Sequence, residues 1–137
     1  MNGKAAYLDS SAFLKLVVSE AESAALQRFI EAWPQRASAS LLRTEAIRAL
    51  RRAGYESRVG AARRLIRSVR LISLNEPLLD RAGELEPRDL RSLDAIHLAA
   101  ALSIGSDLGL LVTYDERLES AARDLGIAVQ SPGRDVA

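Results

Sequence analysis

Five short apolar runs, separated by stretches long enough to be helices, constrain this chain more than any other feature. They lie at 5–8, 36–40, 71–74, 108–113 and 127–129. Strands joined through helices are parallel, and parallel strands are buried on both faces, so they read as apolar runs rather than as alternating ones. The intervening helices are predicted over 11–18, 22–32, 41–53, 57–68, 77–85, 93–104 and 116–125. Gly54, Gly105 and Gly126 end three of them. Pro34 and Pro87 stop two others, and Pro77 suits a first helical turn. Ser40, Ser92 and Asp115 are candidate N-caps. The expected fold class is therefore α/β, with a central parallel sheet covered on both faces. One domain over 1–137 is expected, with 131–137 as a loose tail.

The residues that are missing exclude much chemistry. The chain of 137 residues has no cysteine and one histidine. Disulfide frameworks, thiolate metal sites, cysteine nucleophiles and multi-histidine zinc sites are excluded together. No Walker-type loop and no Gly-x-Gly-x-x-Gly occurs, which removes support for those nucleotide-binding classes. No apolar run approaches the roughly 20 residues needed to cross a bilayer, and no signal-peptide core follows Met1. A cytoplasmic protein without a membrane segment is expected.

Charge is distributed unevenly. Residues 43–70 hold nine arginines against Glu45 and Glu56, whereas 71–137 hold twelve acids against six arginines. Such asymmetry suggests an anionic partner. The alternative is solvated helix faces whose arginine stems cover apolar surface. Arginine supplies 17 of the 19 basic residues, and its planar fork matches phosphate geometry.

Four carboxylates stand out. In an open α/β sheet, ligands gather beyond the carboxyl ends of the strands. Asp9 ends the first run and Asp115 follows the fourth. Each is equally a candidate helix N-cap. Asp94 falls in the first turn of its helix, where the helix dipole alone would favour it. Glu45 differs, because it lies within a helix on the arc of Leu41, Leu42 and Ala49, bordered by Arg48 and Arg52. A carboxylate facing inward needs compensation, either a guanidinium from Arg48 or Arg52 or a metal ion. Four converging carboxylates would repel and retain protons unless a cation intervened. Hard divalent ions, Mg²⁺ or Mn²⁺, prefer such oxygen ligands, bind phosphate oxygens and activate water. An all-carboxylate site beside an arginine-rich segment points to phosphodiester chemistry.

Four segments carry a resemblance: Tyr7-Leu8-Asp9-Ser10-Ser11-Ala12, Leu42-Arg43-Thr44-Glu45-Ala46, Leu93 through Ala101, and Val112-Thr113-Tyr114-Asp115. In order and spacing they resemble the PIN-domain family, and most of all its VapC-type toxins of bacterial toxin–antitoxin pairs. The resemblance spans about residues 5–129. It implies a three-layer α/β/α fold around a parallel sheet and Mg²⁺- or Mn²⁺-dependent cleavage of RNA. It further implies a homodimer, held inactive by a VapB-type antitoxin that lies across the active-site groove. Asp9, Glu45, Asp94 and Asp115 match the family's acidic metal ligands without departure. Thr113 matches a hydroxyl that supports the metal site or its water, and Ser10 is a weaker supporting candidate. His97 is expected in a core or supporting role. Phe13, Phe29 and Trp33 are too scattered for a base-stacking platform and are expected in the core or against a partner.

The mechanism so implied is in-line attack of a metal-activated water on an RNA phosphodiester, with arginines of 43–70 on the RNA backbone. The alternative is a catalytically silent PIN-like module that binds RNA or protein, although such modules usually lose acids that this chain retains. An aspartyl phosphatase built on Asp9 is disfavoured, because that chemistry usually has a second aspartate where Ser11 stands.

Overall fold

Strand β1 (Ala5–Leu8) is buried along its whole length, with Ala6 and Leu8 facing one side of the sheet and Tyr7 the other. Strand β4 (Leu108–Val112) repeats this alternation with Leu110 and Val112 against Leu111. The remaining strands are β2 (Arg36–Ala39), β3 (Arg70–Ile72) and β5 (Val129–Gln130). The computed structural model describes residues 3–134. Its five strands form one sheet in the order β3-β2-β1-β4-β5, with every neighbouring pair parallel. The chain steps outward from β1 to β3 in one direction, then resumes at β4 on the other side of β1. The carboxyl ends of β1 and β4 therefore flank the point where strand order reverses, which is where open α/β sheets form a crevice.

Seven α-helices among the described residues complete the three layers. On one face lie α1 (Ser10–Val17) and α2 (Ser23–Ile30), with α3 (Leu42–Arg52) and α4 (Val59–Ile66) packed beside α1 through Phe13, Leu42, Leu50 and Ile66. On the other lie α5 (Glu76–Glu84), α6 (Ser92–Ser103) and α7 (Glu116–Asp124). Helix α6 buries Ala95, Ala99, Ala100 and Ala101. Side chains this small let it lie close against the sheet. None of the helices among the described residues is long and apolar enough to cross a membrane.

The expected elements all form, with shifted ends. Helix α2 stops at Ile30 because Arg36 folds back and donates to the carbonyls of Ile30 and Trp33, satisfying groups that the helix end leaves open. The helix expected over 57–68 is a 3₁₀ turn at Glu56–Arg58 followed by α4. Neither Ser40 nor Ser92 caps with its side chain. Leu41 and Arg91 hold those positions, and Ser92 is already helical. Asp115 and Pro77 behave as expected.

The expected tail divides in two. Residues 135–137 lie outside the described residues. Residues 131–134 are tied down rather than loose: Ser131 Oγ donates to the Thr113 carbonyl, Tyr114 Oη donates to the Pro132 carbonyl at 2.6 Å, and Arg134 pairs with Glu119 at 2.8 Å.

Phe13, Phe29 and Trp33 pack within the fold. Phe13 is fully buried, and Phe29 and Trp33 stack at 6.4 Å between centroids. Trp33 packs onto Gly109 so closely that a Cβ there would lie 2.4 Å from the indole.

Candidate active site

Asp9 leaves β1 and N-caps α1, its Oδ1 accepting from Ala12 N at 3.0 Å. It has two further donors. Ser11 Oγ donates to Oδ1 at 2.7 Å, and Thr113 Oγ1, just beyond β4, donates to Oδ2 at 2.6 Å. Asp9 and Thr113 are both buried. Burial raises the Asp9 carboxyl above its ordinary range, opposed by these hydrogen bonds. Thr113 Oγ1 also accepts from Asp115 N at 3.1 Å, and Ser11 Oγ accepts from Tyr114 N at 3.0 Å. The two hydroxyls thus join the end of β1 to the turn after β4.

Ser11, not Ser10, is the serine in this network, and sequence reasoning gave it no role at the site. A serine in a first helical turn reads as a local cap. Its bond to Tyr114 N spans 103 positions, and no local signal carries that.

Asp115 N-caps α7, accepting on Oδ1 from Arg117 N at 2.9 Å and from Leu118 N at 3.1 Å. Capping and cleft-lining are therefore not alternatives at Asp9 or Asp115, since one oxygen satisfies the helix while the carboxylate still faces the strand ends. Asp94 projects from the first turn of α6. Its carboxyl is pushed up to about 6, by partial burial first and then by the negative charges of Asp115 and Asp9. These three acids thus share one field.

Glu45 lies in the first turn of α3. Its partner is neither Arg48 nor Arg52. Its Oε1 meets His97 Nε2 of α6 at 2.8 Å, and His97 Nδ1 meets Tyr7 Oη at 2.8 Å. Both nitrogens of the lone histidine are therefore committed, and its supporting role, rather than a nucleophilic one, follows from that geometry.

Asp94 feels the charges of Asp115 and Asp9, and Glu45 of α3 is tied to α6 through His97. Among the described residues no three acidic or histidine side chains are already grouped as a metal-binding cluster. Asp9, Glu45 and Asp115 are each drawn to their own protein donors, and four like charges repel. The donor set nonetheless fits a hard divalent ion, because it is all oxygen.

The arginines of 43–70 are all exposed, and none forms an ion pair among the described residues. Between α1 and α3 runs an apolar groove of about 300 Å³, lined by Leu14, Val18, Ala49, Ala53 and Tyr55 and reaching Ser11 at the site.

The PIN domain model matches residues 6–124. Ribonuclease VapC46 of Mycobacterium tuberculosis is 49% identical over 128 residues, covering 93% of this chain and 98% of that protein. Ribonuclease VapC47 of the same organism is 40% identical over 131 residues, covering 93% and 96%. Among solved structures, Mycobacterium tuberculosis VapC20, described as a sarcin–ricin loop cleaving toxin, superposes with a TM-score of 0.71 at 18% identity, covering 85% of this chain and 94% of that one. A toxin–antitoxin complex from Klebsiella pneumoniae gives 0.70 at 21% identity, covering 96% and 99%. The two structures share the fold, and the two sequences share the family. Matched by that domain model over most of its length and by relatives 49% and 40% identical along nearly all of theirs, the chain belongs to the PIN-domain family, in its VapC branch.

Proposed function

We propose that this protein is a divalent-metal-dependent endoribonuclease toxin that hydrolyses RNA phosphodiester bonds. The observation that carries the reading is the geometry at the β1/β4 switch point, where Thr113 Oγ1 and Ser11 Oγ grip Asp9 and Asp115, whose N–H donates to Thr113 Oγ1, caps α7 beside them. The ribonuclease names of the relatives support it. Asp9, Glu45, Asp94 and Asp115 would hold Mg²⁺ or Mn²⁺. Such an ion lowers the pKa of water and offsets charge on phosphoryl oxygens. Thr113 and Ser11 orient Asp9, and a carboxylate of the set accepts the proton that the attacking water gives up. Exposed arginines of α3 and α4 hold the RNA backbone without reading its sequence.

The partner in this reading is a VapB-type antitoxin whose segment lies along the groove between α1 and α3, which reaches the site. Two copies of the chain pair through α5 and α6, where Leu79 and Leu93 are exposed. Co-purification with the product of the adjacent coding sequence tests the first expectation, and light scattering the second.

The deciding experiment incubates RNA with the protein and Mn²⁺, with and without chelator. Cleavage is expected with the ion alone. Cleavage that persists in EDTA, or in the variant carrying both Asp9→Asn and Asp94→Asn, would refute the proposal.

A further inference from the structure

We propose that Tyr7 and His97 form a positioning relay for Glu45, in which Tyr7 fixes the histidine tautomer and His97 holds one carboxylate oxygen so that the other faces the cation. The inference rests on the metal-dependent reading above and concerns residues that do not touch the cation themselves. Tyr7 is fully buried in the centre of the sheet, and His97 is 1% exposed. Their rings meet edge to face at 5.8 Å.

The bond directions follow from the inventory of donors and acceptors. An ionised carboxylate can only accept, so the 2.8 Å contact between His97 Nε2 and Glu45 Oε1 requires the proton on Nε2. Nδ1 then needs a donor, and the Tyr7 hydroxyl stands 2.8 Å away. Burial holds that phenol protonated, far above its ordinary range. With Glu45 ionised and His97 neutral, the proton order runs Tyr7 Oη–H to Nδ1, then Nε2–H to Oε1. It leaves Glu45 Oε2 with no protein donor among the described residues, available to a ligand while the side chain is pinned by its twin oxygen.

Stability alone does not account for this chain of polar groups. Apolar replacement of a buried polar or ionic network is often neutral or stabilising. A helical glutamate otherwise has three rotatable side-chain bonds, and His97 removes that freedom across 52 positions of sequence. Groups that orient a metal ligand from behind are worth about 10–100-fold in affinity or activity.

The test titrates Mn²⁺ by calorimetry and measures RNA cleavage for the full chain and four variants: His97→Ala, His97→Gln, Tyr7→Phe and the double variant Tyr7→Phe with His97→Gln. His97→Ala should weaken Mn²⁺ by about 10-fold or more and lower kcat at saturating Mn²⁺, leaving the KM for RNA unchanged. A glutamine amide can stand where Nε2 stands, so His97→Gln should recover most of both losses. Tyr7→Phe should show a smaller loss, and adding it to His97→Gln should cost little more Mn²⁺ affinity, since the imidazole it orients is gone. Ring ¹⁵N shifts of the wild type should report a proton on Nε2.

The relay is overturned if His97→Ala binds Mn²⁺ as the wild type does, if His97→Gln is no better than His97→Ala at equal thermal midpoint, or if the proton sits on Nδ1. Should His97→Ala fail to fold, Tyr7→Phe, His97→Gln and the ring shifts still decide. Wild-type protein that binds Mn²⁺ but cleaves no RNA refutes the nuclease and leaves the relay judged on affinity, whereas wild type that binds no Mn²⁺ overturns both.

Discussion

Asp9 gathers three functions into one side chain: helix cap, terminus of the central strand and centre of the hydroxyl network. Thr113 is the sharpest probe of it. Replacing Thr113 with valine keeps the shape but deletes the 2.6 Å donor to Oδ2 and leaves a buried acceptor unsatisfied. Stability should fall by about 1–3 kcal/mol, read by urea unfolding, and Mn²⁺ affinity should fall with it. An unchanged midpoint would mean that Asp9 does not depend on Thr113. Four of the five candidate site residues, the aspartates and the glutamate, stood out in the sequence as residue types at strand ends and on a helix arc. Thr113 was legible only through the family resemblance. The partner of Glu45 was not legible, because Arg48 and Arg52 are near in sequence whereas His97 is near only once α3 and α6 flank the same rim. Among neighbours, exposed arginines keep their hydration, and the buried imidazole has a carboxylate within reach and little water to compete.

At the level of elements, two predictions separate packing from binding. Gly109 lets Trp33 lie on the backbone of β4, and a Cβ would stand 2.4 Å from the ring. Gly109→Ala should therefore destabilise by about 1–3 kcal/mol through overpacking, measured by chemical denaturation, with little loss if the indole can swing aside. Helix α3 carries the second. Arg48 and Arg52 are exposed and without ion-pair partners among the described residues, so reversing both to glutamate should spare the fold. If they hold RNA, the slope of log affinity against log salt should become shallower by about 0.7 for each phosphate no longer neutralised. An unchanged slope would assign them to solvent. Element identity was readable from runs, glycines and prolines. Element ends were not, because Arg36 terminates α2 by reaching back to it, and β5 is placed by pairing Val129 with Leu111.

For the whole molecule, clustering acids at a switch point sets a pH dependence. Asp94 titrates at about 6 in the folded protein against an ordinary 3.8. Between those values the folded chain keeps a proton that the unfolded chain has released. The folded state therefore gains most at low pH and loses that advantage as pH rises to about 6. Asp9, also raised by burial, acts in the same direction. In EDTA, the thermal midpoint of Asp94→Asn relative to wild type should climb across this interval, since the variant is spared the loss. A constant difference would mean that the fold does not raise the Asp94 carboxyl. The sequence by itself determined the class of fold, the strand–helix alternation and the availability of an all-oxygen site, because burial pattern, breaker residues and side-chain chemistry are local properties. Only the tertiary structure decided which groups face one another: that Ser11 and Thr113 grip Asp9, that His97 rather than an arginine holds Glu45, and that residues 131–134 are anchored. Those pairings join positions up to 104 apart, and they arise only when the sheet sets β1 beside β4 and α6 packs over Tyr7.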